Sequence, residues 1–129
     1  MSDAIQGSRP ASSAQAGPVI SKAVVRAAQE LGLSNAALAD TLGLSEATIS
    51  RLSKSAYTLE PRSKPYELAL LLIRLHRSLD AMAGGESATV LAWMRNHNLA
   101  LEGVPAAMVR TVTGLVSAVD YVDSARARI

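Results

Sequence analysis

Residues 35–52 read NAALADTLGLSEATISRL, and the placing of small and apolar side chains in this stretch decides the fold. Ala39 is small enough for a second helix to cross close by, and Gly43, four residues on, can take the positive φ that a sharp helix-to-helix turn demands. Leu44 follows at once, and Ile49 and Leu52 stand six and nine residues after the glycine; with Leu38 and Leu42 they face inward at helical spacing. Two short helices over 35–42 and 46–55 are therefore predicted, joined by a tight turn. That is a helix-turn-helix, a device for placing a helix in a DNA groove. A helical hairpin that only packs seldom needs the small residue, the glycine and the flanking apolar positions together.

The rest of the 129-residue chain is consistent with an all-α protein. Apolar residues make up 49% of it, yet there is no Phe and only one Trp, so the core must be built from Leu, Val, Ala and Met. Alanine and leucine favour helix, and no strand alternation or internal repeat persists. No run approaches a membrane span and the N-terminus lacks a secretion signal, so a cytoplasmic location without membrane association is expected. The absence of cysteine removes disulfides, thiolate metal sites and thiol nucleophiles. His76 and His97 are far apart without companion ligands, so no metal site is expected. With no nucleophile-base-acid arrangement, no glycine-rich phosphate loop and no carboxylate pair at a useful spacing, an enzyme is not expected, nor a cofactor.

Net charge is only +2, but its placement is uneven. Between Arg51 and Arg77 stand six basic residues (Arg51, Lys54, Arg62, Lys64, Arg74, Arg77) against two acids, Glu60 and Glu67. Such a run is commonly just a solvated face; beside a helix-turn-helix it can hold phosphates.

Residues 1–18, rich in Ser, Ala, Gln, Gly and Pro, predict a disordered tail. Ile20, Val24, Ala27 and Leu31 repeat at steps of three and four, predicting a first helix over about 21–31 that Gly32 ends. Ser63 and Pro65 mark the start of a long helix whose first half is apolar on more than one side, as befits a central helix that also contributes to a dimer. Gly84 and Gly85 break it and divide the chain into a helix-turn-helix unit with its connecting helix, 19–84, and a second helical unit, 86–129. In the latter, a helix over about 86–96 carries Trp93, expected as an anchor of the core. Pro105 opens a short helix through about Arg110, Thr113 can cap the last helix, and Leu115, Val119, Val122 and Ala125 give that helix an inward stripe.

Residues 35–52 resemble the helix-turn-helix of the Xre and Cro-like repressors, whose second helix starts at a serine N-cap, here Ser45. The resemblance implies that Ser45, Glu46, Ala47, Ser50, Arg51 and Lys54 face a duplex, where they can read base edges and phosphates. Glu46 would place a negative charge in the phosphate field. Trp93, Asn98, Leu101, Gly103, Pro105, Met108 and the spacing Thr111-x-x-Gly114 leading to Val119 resemble the toxin-binding domain of the Xre/MbcA/ParS antitoxins. Glu102 stands where that family more commonly has glycine, and the stretch 96–98 lacks a proline often found there.

This second resemblance implies a RES-domain toxin as partner, acting on NAD either by destroying it or by transferring its ADP-ribose, with the C-terminal domain covering the toxin's nucleotide cleft. Asn98, Arg126, Arg128 and Ile129 are the toxin contacts it suggests. The slim end of the last helix, with two guanidinium groups and a terminal carboxylate, suits entry into a dinucleotide cleft. Arg126 and Arg128 would equally favour the negative end of their own helix, at about 0.3–1 kcal/mol. The expected function is thus an antitoxin that neutralises its toxin and represses its own operon, with operator DNA and a homodimer or larger toxin-antitoxin complex among its associations. The alternative is a stand-alone repressor whose C-terminal part serves only dimerisation.

Overall fold

The computed structural model describes residues 13–128. Among the described residues seven helices follow one another: α1 (Ser13–Glu30), α2 (Asn35–Leu42), α3 (Glu46–Ser53), α4 (Lys64–Met82), α5 (Ser87–Arg95), α6 (Pro105–Met108) and α7 (Val112–Ala127). The all-α expectation holds: among the described residues the only β feature is an isolated bridge between Asn98 and Gly103. No helix there is long and apolar enough to cross a membrane.

Helix termini follow the local chemistry. Ser34, Ser45, Ser63 and Thr111 are N-caps, each accepting the backbone N–H of the residue three positions on. Gly43 sits at φ 71°, and the Leu44 N–H reaches back to the Ala39 carbonyl, closing the turn of the helix-turn-helix with a left-handed residue. The cap of the last helix is Thr111 and not Thr113 as the sequence suggested. Thr111 holds the Gly114 N–H at 3.1 Å, and a Cβ on Gly114 would run into the Met108 backbone carbonyl. The spacing Thr111-x-x-Gly114 therefore folds α6 tightly onto α7.

The first helix departs most from expectation. It begins at Ser13, not near Ser21, and Pro18 lies inside it, so the expected disordered tail is corrected for residues 13–18; residues 1–12 lie outside the described residues. Its early turns are held by packing rather than by propensity. Ser21 Oγ donates to the Gly17 carbonyl at 2.7 Å and accepts the Leu59 N–H at 2.8 Å. Gly17 is buried so close to the Leu59 carbonyl that a Cβ would lie 2.6 Å from it. No local pattern announces this contact across 38 residues.

Helix α4 is the spine. It packs chiefly against α7 on one side and α1 on the other, while α2 and α3 lean on each other and α5 and α6 close the far end. Leu72, Leu75 and Leu79 of α4 join Val24 of α1, Leu31 just after it, Leu42 and Ile49 of the helix-turn-helix, and Met94, Leu115 and Val122 of the rear helices in one continuous apolar cluster. Two ion pairs stitch the halves together at the surface: Arg74 with Asp123 at 2.7 Å, and Arg110 with Asp40 at 2.8 Å.

Candidate functional site

Two surfaces carry the residues singled out in the sequence. The first is α3 with its caps. Ser45, Glu46, Ala47, Arg51 and Lys54 are exposed and Ser50 is half-buried, while Ile49 and Leu52 turn inward to hold the helix. All six therefore share one short helix whose outer side is open. Ser45 is committed to capping: its Oγ accepts the Thr48 N–H at 3.1 Å and lies 2.9 Å from the Thr48 hydroxyl. Thr48 Oγ1 also accepts from the Arg51 guanidinium at 3.2 Å. A chain of three side chains thus ties Arg51 along the helix and reduces the entropy it would lose on binding a phosphate or base. Glu46 stands in the first turn, where its charge suits the positive end of the helix.

The basic run from Arg51 to Arg77 does not act as one patch. Lys64 pairs with Glu67 at 3.3 Å, and Arg74 is held by Asp123 of α7. Other cations lie nearer α3: Lys22 and Arg26, exposed and one turn apart on α1, line a recess of about 410 Å³ with Ser53 and Ser55. Their i, i+4 spacing was legible in the sequence, but their place beside α3 depends on how α1 crosses it.

The second surface lies at the other end of the sequence. Asn98 opens a loop in which four hydrogen bonds converge on it. Its N–H donates to the Gly103 carbonyl, its own carbonyl accepts from the Glu102 and Gly103 N–H groups, and its side-chain oxygen accepts the Leu101 N–H at 2.9 Å. Asn98 therefore shapes the loop. Glu102 is left-handed at φ 60°, which explains why a glycine would be at ease there. Leu99, to which no sequence motif pointed, is 87% exposed at the tip.

Trp93 is half-buried, as an anchor should be, and stacks on Tyr121 of α7 with ring centroids 6.4 Å apart. Arg126 is exposed but turns back toward α4, its guanidinium 3.4 Å from the Ser78 hydroxyl, which itself donates to Asp123 at 2.9 Å. Arg128 is exposed at the C-cap of α7, and Ile129 lies outside the described residues. The three suggested toxin contacts among the described residues thus divide between a loop, Asn98, and a helix end, Arg126 and Arg128. Sequence spacing alone did not reveal the tether on Arg126, because its partner lies 48 residues away.

Comparison with known proteins finds a family match for each part of the chain. No curated protein matches the chain. Residues 10–74 match the antitoxin Xre-like helix-turn-helix domain, and residues 78–128 match the antitoxin Xre/MbcA/ParS C-terminal toxin-binding domain. The two matches are separated by residues 75–77 within α4, and beyond that gap they leave only residues 1–9 and 129 uncovered. The chain belongs to the Xre-like antitoxins, built from a helix-turn-helix domain followed by an Xre/MbcA/ParS toxin-binding domain.

Proposed function

We propose that this antitoxin neutralises a RES-domain toxin acting on NAD by covering the toxin's nucleotide cleft, and that it represses its own operon through the helix-turn-helix. Operator binding then belongs to residues 19–84 and toxin binding to 86–129. The observation that carries the reading is the match of residues 78–128 to a toxin-binding domain, in a chain whose last helix ends in an exposed, arginine-bearing turn. Because Arg126 is retained against Ser78, Arg128 and the residue after it supply the group that enters the cleft, while Arg126 holds the helix end in place. An arginine suits such a cleft because its planar guanidinium matches the phosphate or carboxylate geometry that a dinucleotide site is built around.

On the DNA side, the outer face of α3, with Arg51 tethered by Thr48, supports groove reading. A homodimer on two half-sites is the arrangement such helices usually adopt, with a larger complex once toxin is added.

Co-expression with the product of the adjacent reading frame tests the reading. The full chain is expected to form a stable complex and restore growth, with the partner's NAD-consuming or ADP-ribosylating activity suppressed. Deleting residues 126–129 is expected to impair neutralisation while sparing the fold, since Leu115, Val119 and Val122 already complete the buried stripe. Full protection by the shortened chain would refute occlusion by the helix end, and DNA binding without any protein partner would leave the chain a stand-alone repressor.

A further inference from the structure

We infer that the loop at residues 98–103, with Leu99 at its tip, is the apolar anchor by which this chain grips its toxin; the inference rests on the antitoxin reading above and locates its protein contact. Among the large apolar side chains standing out from the described surface, Leu99 is the most exposed, at 87% against 59% for Val112 and 56% for Val19. A lone exposed leucine is ordinary. This one is held in a fixed place.

Three backbone hydrogen bonds and the Asn98 side chain close the loop beneath it, and Leu101 folds back to pack on the core. Glu102 accepts a left-handed backbone to complete the turn, and Gly103 rests against the Met108 side chain, whose sulfur would lie 3.0 Å from a Cβ there. The tip is therefore rigid and presents its leucine without further loss of backbone freedom, which is what a binding anchor requires.

Beside the loop runs a shallow groove of about 300 Å³ lined by Thr89, Ala92, Trp93, Asn96, His97 and Asn98, in which Ala92 and Trp93 supply apolar surface. Trp93 cannot swing out to fill it without leaving its stack on Tyr121. A knob next to a fixed groove fits a partner with an apolar pocket bordered by a ridge. Leu99 and the residues lining the groove all fall within the segment matched as toxin-binding, residues 78–128, so the toxin is the occupant to which this surface belongs.

The test uses the full chain co-expressed with the product of the adjacent reading frame, with complex affinity measured by calorimetry. Leu99→Asp is expected to weaken binding about a hundredfold and Ala92→Arg about tenfold, as at the centre and rim of an interface. Leu99→Met should stay within about threefold of wild type, since it keeps the apolar volume. Melting temperature and operator affinity should not move, because neither side chain supports the core or faces α3. Wild-type affinity in both Leu99→Asp and Ala92→Arg would overturn the anchor while leaving the antitoxin reading intact. The anchor is likewise overturned if Leu99→Asp changes only the oligomeric state of the free chain, which would make the loop a contact between copies. A wild-type chain that captures no partner would overturn both.

Discussion

The helix-turn-helix and the rear loop both reverse the chain through a left-handed residue, but they present opposite chemistry. At the front, Gly43 turns the chain with nothing near its missing Cβ, and the surface it builds is helical and charged, with Arg51 tied along α3 by Thr48. At the rear, Glu102 takes φ 60° without being glycine, and the surface it builds is a loop that lifts Leu99 into solvent beside Trp93. One surface suits a partner bound through charge and hydrogen bonds at fixed spacing; the other suits a partner bound by burying apolar area. Fold alone would not have separated these roles, since Ile49 and Leu52 behind one surface and Trp93 and Leu101 behind the other pack into a single apolar cluster.

The sharpest way to break this contrast is to disturb the rear without touching the front. Gly114→Val would force a side chain into the Met108 carbonyl and should cost about 3 kcal/mol in urea unfolding, with toxin binding lost before DNA binding. Undiminished stability would mean that α6 and α7 can part freely. The converse change, Arg51→Ala with Lys54→Ala, should weaken operator binding by about 2 kcal/mol and lower its salt slope by about two, as removal of two phosphate contacts does. Unchanged salt dependence would show that α3 is scaffold only.

A smaller effect compares the two left-handed turns directly. Glu102→Gly should stabilise the chain by about 1 kcal/mol by relieving an unfavourable backbone, and Ser55→Gly, at φ 61° after α3, should do the same. A gain at one site and a loss at the other would show that one of these side chains offsets its strain by a contact. The smallest effect concerns the link between the regions: Asp40→Ala removes the ion pair with Arg110, whose partners are 55% and 42% exposed. About 0.5 kcal/mol or less of stability should be lost, with operator affinity unmoved. A large fall in operator affinity would mean that the rear domain braces the front through this pair.

The front was legible because its signals are local. Ala39, Gly43, Ile49 and Leu52 stand at spacings that only a tight helical turn uses, and Ser45 and Ser63 sit where caps belong, so α2, α3 and α4 emerged within a residue or two. The start of α1 was not legible, because Pro18 and a polar composition argue against helix and only the contact of Gly17 and Ser21 with Leu59 overrides them. The rear was legible as a pattern of Trp93, Gly103 and Thr111-x-x-Gly114, but not as a surface. The exposure of Leu99 depends on hydrogen bonds that close on Asn98, and the placing of Arg126 depends on a serine in another helix.

The division of labour between the two surfaces is tested most directly by the toxin-neutralising activity of the full-length Arg51→Ala, Lys54→Ala chain in co-expression. Neutralisation equal to wild type, despite weakened operator binding, is the expected result. Loss of neutralisation in a chain that remains folded would contradict it, because α3 would then be part of the surface that holds the toxin.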